Sequence, residues 1–109
     1  MEHAIDIFDM QAQLCHSLSS PVRLRIIHCL KEAPKSVNEI STLVGESQPT
    51  VSRHLAILRS AGLLTARRKA QEVFYEITNP KVVEVCEMMR SILAAREAGQ
   101  LDLLQRIQS

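Results

Sequence analysis

SQPTVSRHLAILRSAG, residues Ser47 to Gly62, is a helix written with both of its ends. Ser47 can accept the orphan N–H groups of the first turn, and Pro49 brings no N–H that would need a partner. Val51, Leu55 and Leu58 recur at i, i+4 and i+7, which is one buried stripe. At about 100° per residue the opposite face carries Arg53, Ala56 and Ser60, flanked by Thr50, Ser52 and Ile57. Apart from the one arginine that face is short-chained, so a groove wall can approach the backbone closely. Gly62 follows the last periodic residue and suits a left-handed helix end. Small polar groups and one Arg, displayed from the N-terminal half, are what readout of a DNA major groove requires. An ordinary amphipathic surface helix would carry the same stripe, so the neighbours decide.

Upstream, Ser36-Val37-Asn38-Glu39 is a capping box, Ser and Glu three apart, just ahead of Ile40, Leu43 and Val44. It opens a short helix closed by Gly45, and Gly45-Glu46 turns the chain into Ser47. Two helices joined by a tight Gly-containing turn, the second bearing the polar face, form a helix-turn-helix. Downstream the period changes. Leu63 to Arg68 and Glu72 to Thr78 alternate and are rich in β-branched and aromatic residues, with Lys69-Ala70-Gln71 between them. They predict a β-hairpin whose tip carries Arg67, Arg68, Lys69 and Gln71. A helix-turn-helix followed by a basic hairpin is a winged helix, the wing placed to touch phosphates or the adjacent minor groove.

The flanks are helical. Residues 4–18, AIDIFDMQAQLCHSL, place Ile7, Gln11, Leu14 and Leu18 beside Phe8, Ala12 and Cys15, a wide apolar face. Ser19-Ser20-Pro21 stops and restarts the chain, with Ser20 as N-cap. The second helix, Pro21 to about Glu32, is expected to bury Leu24, Ile26, Ile27 and Leu30 before Ala33-Pro34 ends it. Asn79-Pro80 restarts a helix running to about Ala98, with Val82, Cys86, Met89 and Leu93 on one stripe and Val85, Met88 and Ile92 beside it. Leu101, Leu103, Leu104 and Ile107 suggest a last short helix. The fold class is therefore mainly α with a small β-hairpin wing, in the order ααααββα with a short extra C-terminal helix. We read residues 1–109 as one winged-helix DNA-binding domain. Its terminal helices, about 4–18 and 80–108, carry more apolar surface than such a domain needs, which predicts a homodimer.

Charge distribution supports a double-stranded DNA partner. Overall net charge is +1, but residues 1–20 hold Glu2, Asp6 and Asp9 and no Lys or Arg, whereas residues 47–71 hold Arg53, Arg59, Arg67, Arg68 and Lys69 and no acid. No apolar run approaches the roughly 20 residues a membrane span needs, so no membrane is expected and the expected location is cytoplasmic. No phosphate loop, paired carboxylates or nucleophile elbow appears, so the chain does not read as an enzyme.

The order of elements and the strings SSPVRLRIIHCL (Ser19 to Leu30), SQPTVSRHLAILRSAGLL (Ser47 to Leu64) and RRKAQEVFYEI (Arg67 to Ile77) resemble the ArsR/SmtB family of bacterial winged-helix repressors. The resemblance implies a homodimer that represses transcription at a near-palindromic operator and leaves it when an effector binds. Carried over by position, Gln48, Thr50, Ser52 and Arg53, in the helix opened by Ser47, would face bases, with the wing bases on the backbone. His54 also matches, but it lies only about 60° from the core stripe, which leaves structural hydrogen bonding and DNA contact both open. Two departures stand out. Arsenic- and cadmium-sensing members carry two cysteines where this chain has Ser36 and Asn38. Zinc-sensing members carry carboxylate and His ligands where it has Asn79, Lys81, Ile92 and Ala95.

Three cysteines, Cys15, Cys29 and Cys86, with no CxxC pair, are no secreted disulfide framework. Free Cys behaves as a small buried hydrophobe, which accounts for all three. The alternative is a thiol sensor at Cys15 and Cys86, joined by Cys29. Three thiolates suit As(III) or Sb(III), and two suit reversible oxidation to a disulfide or polysulfide. His16 and His28 adjoin cysteines, but neighbouring helical side chains diverge by about 100°, which argues against zinc. Two rival readings remain: a winged-helix protein-interaction module, and a DNA-binding dimer with structural cysteines and no effector.

Overall fold

A computed structural model of the chain describes residues 5–96 and 105–107. The elements are α1 (Ile7–Ser17), α2 (Pro21–Cys29), β1 (Lys35–Ser36), α3 (Val37–Val44), α4 (Gln48–Ser60), β2 (Leu64–Lys69), β3 (Glu72–Ile77) and α5 (Lys81–Ala95). Contacts divide them into two units, Met1–Asn79 and Pro80–Ser109.

In the first unit α2, α3 and α4 pack on one another, and α4 also meets β2. Ile26 and Ile27 of α2, Ile40 of α3 and Val51, Leu55 and Leu58 of α4 are almost wholly withdrawn from solvent, with Leu18, Leu30, Leu63 and Leu64 around them. Each such side chain contributes roughly 1.5–3 kcal/mol of transfer free energy. Leu24, expected in that core, is only half-buried, and Leu43 of α3 is exposed. Arg23 is buried in their stead.

Local signals in the sequence set most of the helix ends. Ser20 Oγ accepts from Arg23 N, with Pro21 opening α2. Ser36 and Glu39 form a reciprocal capping box at α3, and Gly45 closes that helix at φ +76°. At the end of α4, Gly62 has φ +79°, its N–H bonds to the Arg59 carbonyl and the Leu63 N–H reaches back to the Leu58 carbonyl. Those two bonds are a Schellman motif, a conformation open to Gly at little cost. Helix α1 begins at Ile7 rather than residue 4, because Asp6 and Asp9 cap each other's backbone N–H groups; residues 1–4 lie outside the described part.

The sheet corrects the expected two-stranded wing. Its order is β1-β3-β2, all antiparallel, with Lys35 opposite Tyr75 and Ser36 opposite Phe74. The element order is thus ααβααββα. Two residues are too short to carry a strand period, and their partner lies far along the chain. β2 and β3 pair from Leu64↔Ile77 to Lys69↔Glu72, so Lys69 belongs to the ladder and only Ala70 and Gln71 form the turn. Ala70 takes φ +57° there, a left-handed conformation that costs a residue with a Cβ roughly 1–2 kcal/mol. At the base of the hairpin, Thr78 donates through Oγ1 to the Gly62 carbonyl at 2.8 Å and through its N–H to the Leu63 carbonyl at 3.1 Å.

In the second unit α5 buries Val82 and Cys86 and half-buries Leu93, while Val85, Met88 and Ile92 stay exposed. Its expected end near Ala98, and Leu101, Leu103 and Leu104 of the proposed last helix, lie outside the described residues. Residues 105–107 are helical.

Candidate nucleic-acid interface

The first turn of α4 concentrates polar groups at one end of the helix-turn-helix. Ser47 Oγ accepts from Thr50 N at 3.4 Å as the N-cap and donates to Thr50 Oγ1 at 3.0 Å. Arg53 Nη2 also donates to Thr50 Oγ1, at 3.4 Å. Thr50 Oγ1 therefore accepts twice, and its own hydroxyl hydrogen is directed elsewhere. Gln48 Nε2 donates to Oδ1 of Asn38, on α3, at 2.9 Å. Gln48, Ser52, Arg53 and Ala56 are exposed and Thr50 is half-buried. The turn before them is held by Glu46, whose carbonyl accepts from Ser41 Oγ and whose N–H bonds to the Ser41 carbonyl.

His54 points the other way. Its Nδ1 lies 3.1 Å from Arg23 Nη1, and a guanidinium can only donate, so Nδ1 is the acceptor and the imidazole is neutral. Burial, then the Arg23 and Arg53 charges, push its pKa below the ordinary 6.5, with Glu46 pulling back. Arg23 also donates from Nε to the Ser17 carbonyl at 2.6 Å and from Nη2 to the His16 carbonyl at 3.5 Å. One buried guanidinium thus ties the end of α1 to α4. Of the two roles open for His54, this geometry favours the structural one. Nothing in SSPVR announces Arg23, because its three partners come from other elements.

Arg67, Arg68, Lys69 and Gln71 are all exposed at the far end of the hairpin. The acid-free run from residue 47 to 71 acquires acidic neighbours on folding. Arg67 Nη2 lies 3.6 Å from Glu76 Oε1, and Glu72 stands opposite Lys69. A solvated pair of that kind contributes little, roughly 0–1 kcal/mol, and a phosphate could displace Glu76. Arg68, one residue on, projects from the opposite face of the strand.

Comparison with known proteins adds identity to this geometry. The family described as bacterial regulatory protein, arsR family, matches residues 20–66. The biofilm growth-associated repressor of Xylella fastidiosa is 36% identical over 86 residues, 79% of this chain and 75% of that protein. The chain belongs to the arsR family. Two solved structures resemble the fold of this arsR-family protein. The crystal structure of the transcriptional repressor BigR from Xylella fastidiosa has a TM-score of 0.74 at 34% identity, covering 82% of this chain and 91% of that one. The solution structure of a homodimeric winged helix-turn-helix DNA-binding domain from Mycobacterium bovis has a TM-score of 0.71 at 28% identity, covering 79% and 80%. This arsR-family chain is accordingly a winged helix-turn-helix transcriptional regulator and not an enzyme.

The positions that carry cysteines in metal-sensing relatives have other work here. Ser36 caps α3 and Asn38 holds Gln48. Among the described residues no group of three or more His, Cys, Asp or Glu could hold a metal ion. Cys15 is exposed on α1. Cys29 donates from Sγ to the Ile26 carbonyl at 3.2 Å, and burial pushes its pKa up to about 11, against a downward pull from Lys35. Cys86 is buried, and burial raises its pKa too, with Arg90 opposing and Glu87 adding. At both positions burial works against the thiolate, the form that binds soft ions.

Proposed function

We propose that this arsR-family repressor acts as a homodimer on a near-palindromic duplex site. Each protomer lays α4 in a major groove, with Gln48, Thr50, Ser52 and Arg53 toward bases. Arg67, Arg68, Lys69 and Gln71 of the wing lie against the adjacent backbone. The observation that carries this reading is the exposed basic surface of α4 and β2, Arg53, Arg59, Arg67, Arg68 and Lys69, beside a polar first turn. A protein-interaction module has no need of such a surface. Dimerisation is supported by the apolar faces left exposed on α1 and on α5, Phe8 at 73% and Met88 at 66% among them. The similar Mycobacterium bovis domain is itself homodimeric.

The test is a titration of the full chain against random-sequence and operon-upstream duplexes over a range of salt, with sedimentation of the free protein. Sequence-selective binding by a dimer, weakening steeply with salt, is expected. A monomer that binds every duplex equally would overturn it.

Release by a thiol-directed effector is a separable part of the proposal. Its support is the exposure of Cys15 on α1. The DNA titration is repeated with arsenite and with a persulfide, on the wild type and on Cys15→Ser and Cys86→Ser. Release by either agent that is lost in both variants is the expected result. Binding that ignores both agents assigns the cysteines to packing.

A further inference from the structure

The contact between Asn38 and Gln48 is exposed and joins two helices that the turn already joins. Stability does not need it, because a solvated amide pair contributes little against competing water. Its geometric consequence is larger. Gln48 is the first residue of α4, carries three rotatable side-chain bonds and sits where α4 would first meet a base edge. A free glutamine samples many rotamers, and immobilising one on binding costs conformational entropy.

We infer that Asn38 is a positioning residue for base recognition, holding the Gln48 amide ready for adenine. The inference rests on the proposal that α4 reads DNA. Gln48 Nε2 carries two hydrogens and gives one to Asn38 Oδ1. Its second N–H and Oε1 remain, a donor and an acceptor, and these match N7 and N6 of adenine. Asn38 contributes only an acceptor to this bond and touches no base. Its own place is fixed by α3, where it lies two residues beyond the Ser36 cap, and its carbonyl accepts from Thr42 Oγ1 at 3.1 Å.

The experiment selects duplexes from a random-sequence library with the full-length protein and reads base preference at each position. Melting of each variant is measured alongside. Wild type is expected to enrich adenine at a symmetry-related pair of positions, and Gln48→Ala to erase that enrichment. Asn38→Ala should weaken it about threefold to tenfold at the same pair, leaving other positions and the melting temperature unchanged. Asn38→Asp keeps an oxygen that accepts from Gln48, so it should restore the adenine preference even as its added charge lowers total affinity. An unchanged profile in Asn38→Ala, or one flattened evenly at all positions, overturns the inference. So does a Gln48→Ala profile identical to wild type, which leaves DNA reading by α4 standing if Arg53→Ala still alters the profile. A wild type that selects no sequence removes the proposed function, and this inference with it.

Discussion

Helices α1 and α4 have the same design on paper and opposite fates in the fold. Each opens on a side-chain cap, Asp6 for one and Ser47 for the other, and each repeats apolar residues at helical spacing. Val51, Leu55 and Leu58 of α4 are sealed under α2 and α3, whereas α1 buries nothing along its length and Ile7 is 67% exposed. Periodicity therefore tells which face of a helix is apolar and leaves open what covers it. Where the cover lies within the same chain, the helix is fixed against the core. Where it does not, the face is free for a second molecule.

The sharpest way to break that contrast is a pair of truncations. Leu55→Ala should cost about 2–5 kcal/mol by denaturant titration, because the cavity it leaves is enclosed on every side. Phe8→Ala should remove little intramolecular packing and act instead on self-association, so its effect on melting should shrink as the protein is diluted and the wild type dissociates as well. A concentration-independent loss in Phe8→Ala matching that of Leu55→Ala would abolish the distinction.

In the proposed complex, α4 and the wing differ in the same spirit, one to read and one to grip. Arg53→Ala should cost about 1–3 kcal/mol on the selected site and less on random duplex. Arg68→Ala should weaken both alike and reduce the salt slope by about one. Equal, small changes from both would count against α4 as the reading helix.

The Arg23–His54 contact sharpens the contrast through pH. The folded chain holds a proton on His54 more weakly than the unfolded chain does, so acidification favours unfolding. Stability from this contact is complete above the ordinary imidazole value of 6.5 and is lost as pH falls below it, toward the depressed folded value. Thermal melts from pH 7.5 downward should show that loss in wild type, and a smaller one in His54→Gln. Identical slopes would mean that His54 does not titrate with folding.

The smallest effect is expected at the hairpin tip. Ala70→Gly relieves a left-handed residue at φ +57° at the cost of a freer unfolded chain, for a net gain of about 0.5–1 kcal/mol in thermal melts.

These contrasts track what could be read from residues alone. Caps and stops were legible because their chemistry is local: Ser36 with Glu39, Ser20 before Pro21, and Gly45 and Gly62 at left-handed ends all act within a few positions. The exposed face of α4 was legible for the same reason. Strand β1 was not, since Lys35 and Ser36 become a strand only by meeting Tyr75 and Phe74. Nor was Arg23, whose charge reads as surface until His16, Ser17 and His54 converge on it. The partnership of Gln48 with Asn38 depends on how α3 and α4 cross, and the acids beside Arg67 and Lys69 on how the hairpin registers.

Thr78 gives the molecule a mechanical property. Its two bonds run from the foot of the hairpin to Gly62 and Leu63, the residues on which α4 ends. The wing is thus not a tentacle hung on a loop but the second jaw of a caliper whose gap is set before any duplex arrives. In the proposed complex, whatever tilted α4 out of its groove would swing the wing off the backbone in the same stroke, so that grip and readout would be surrendered together.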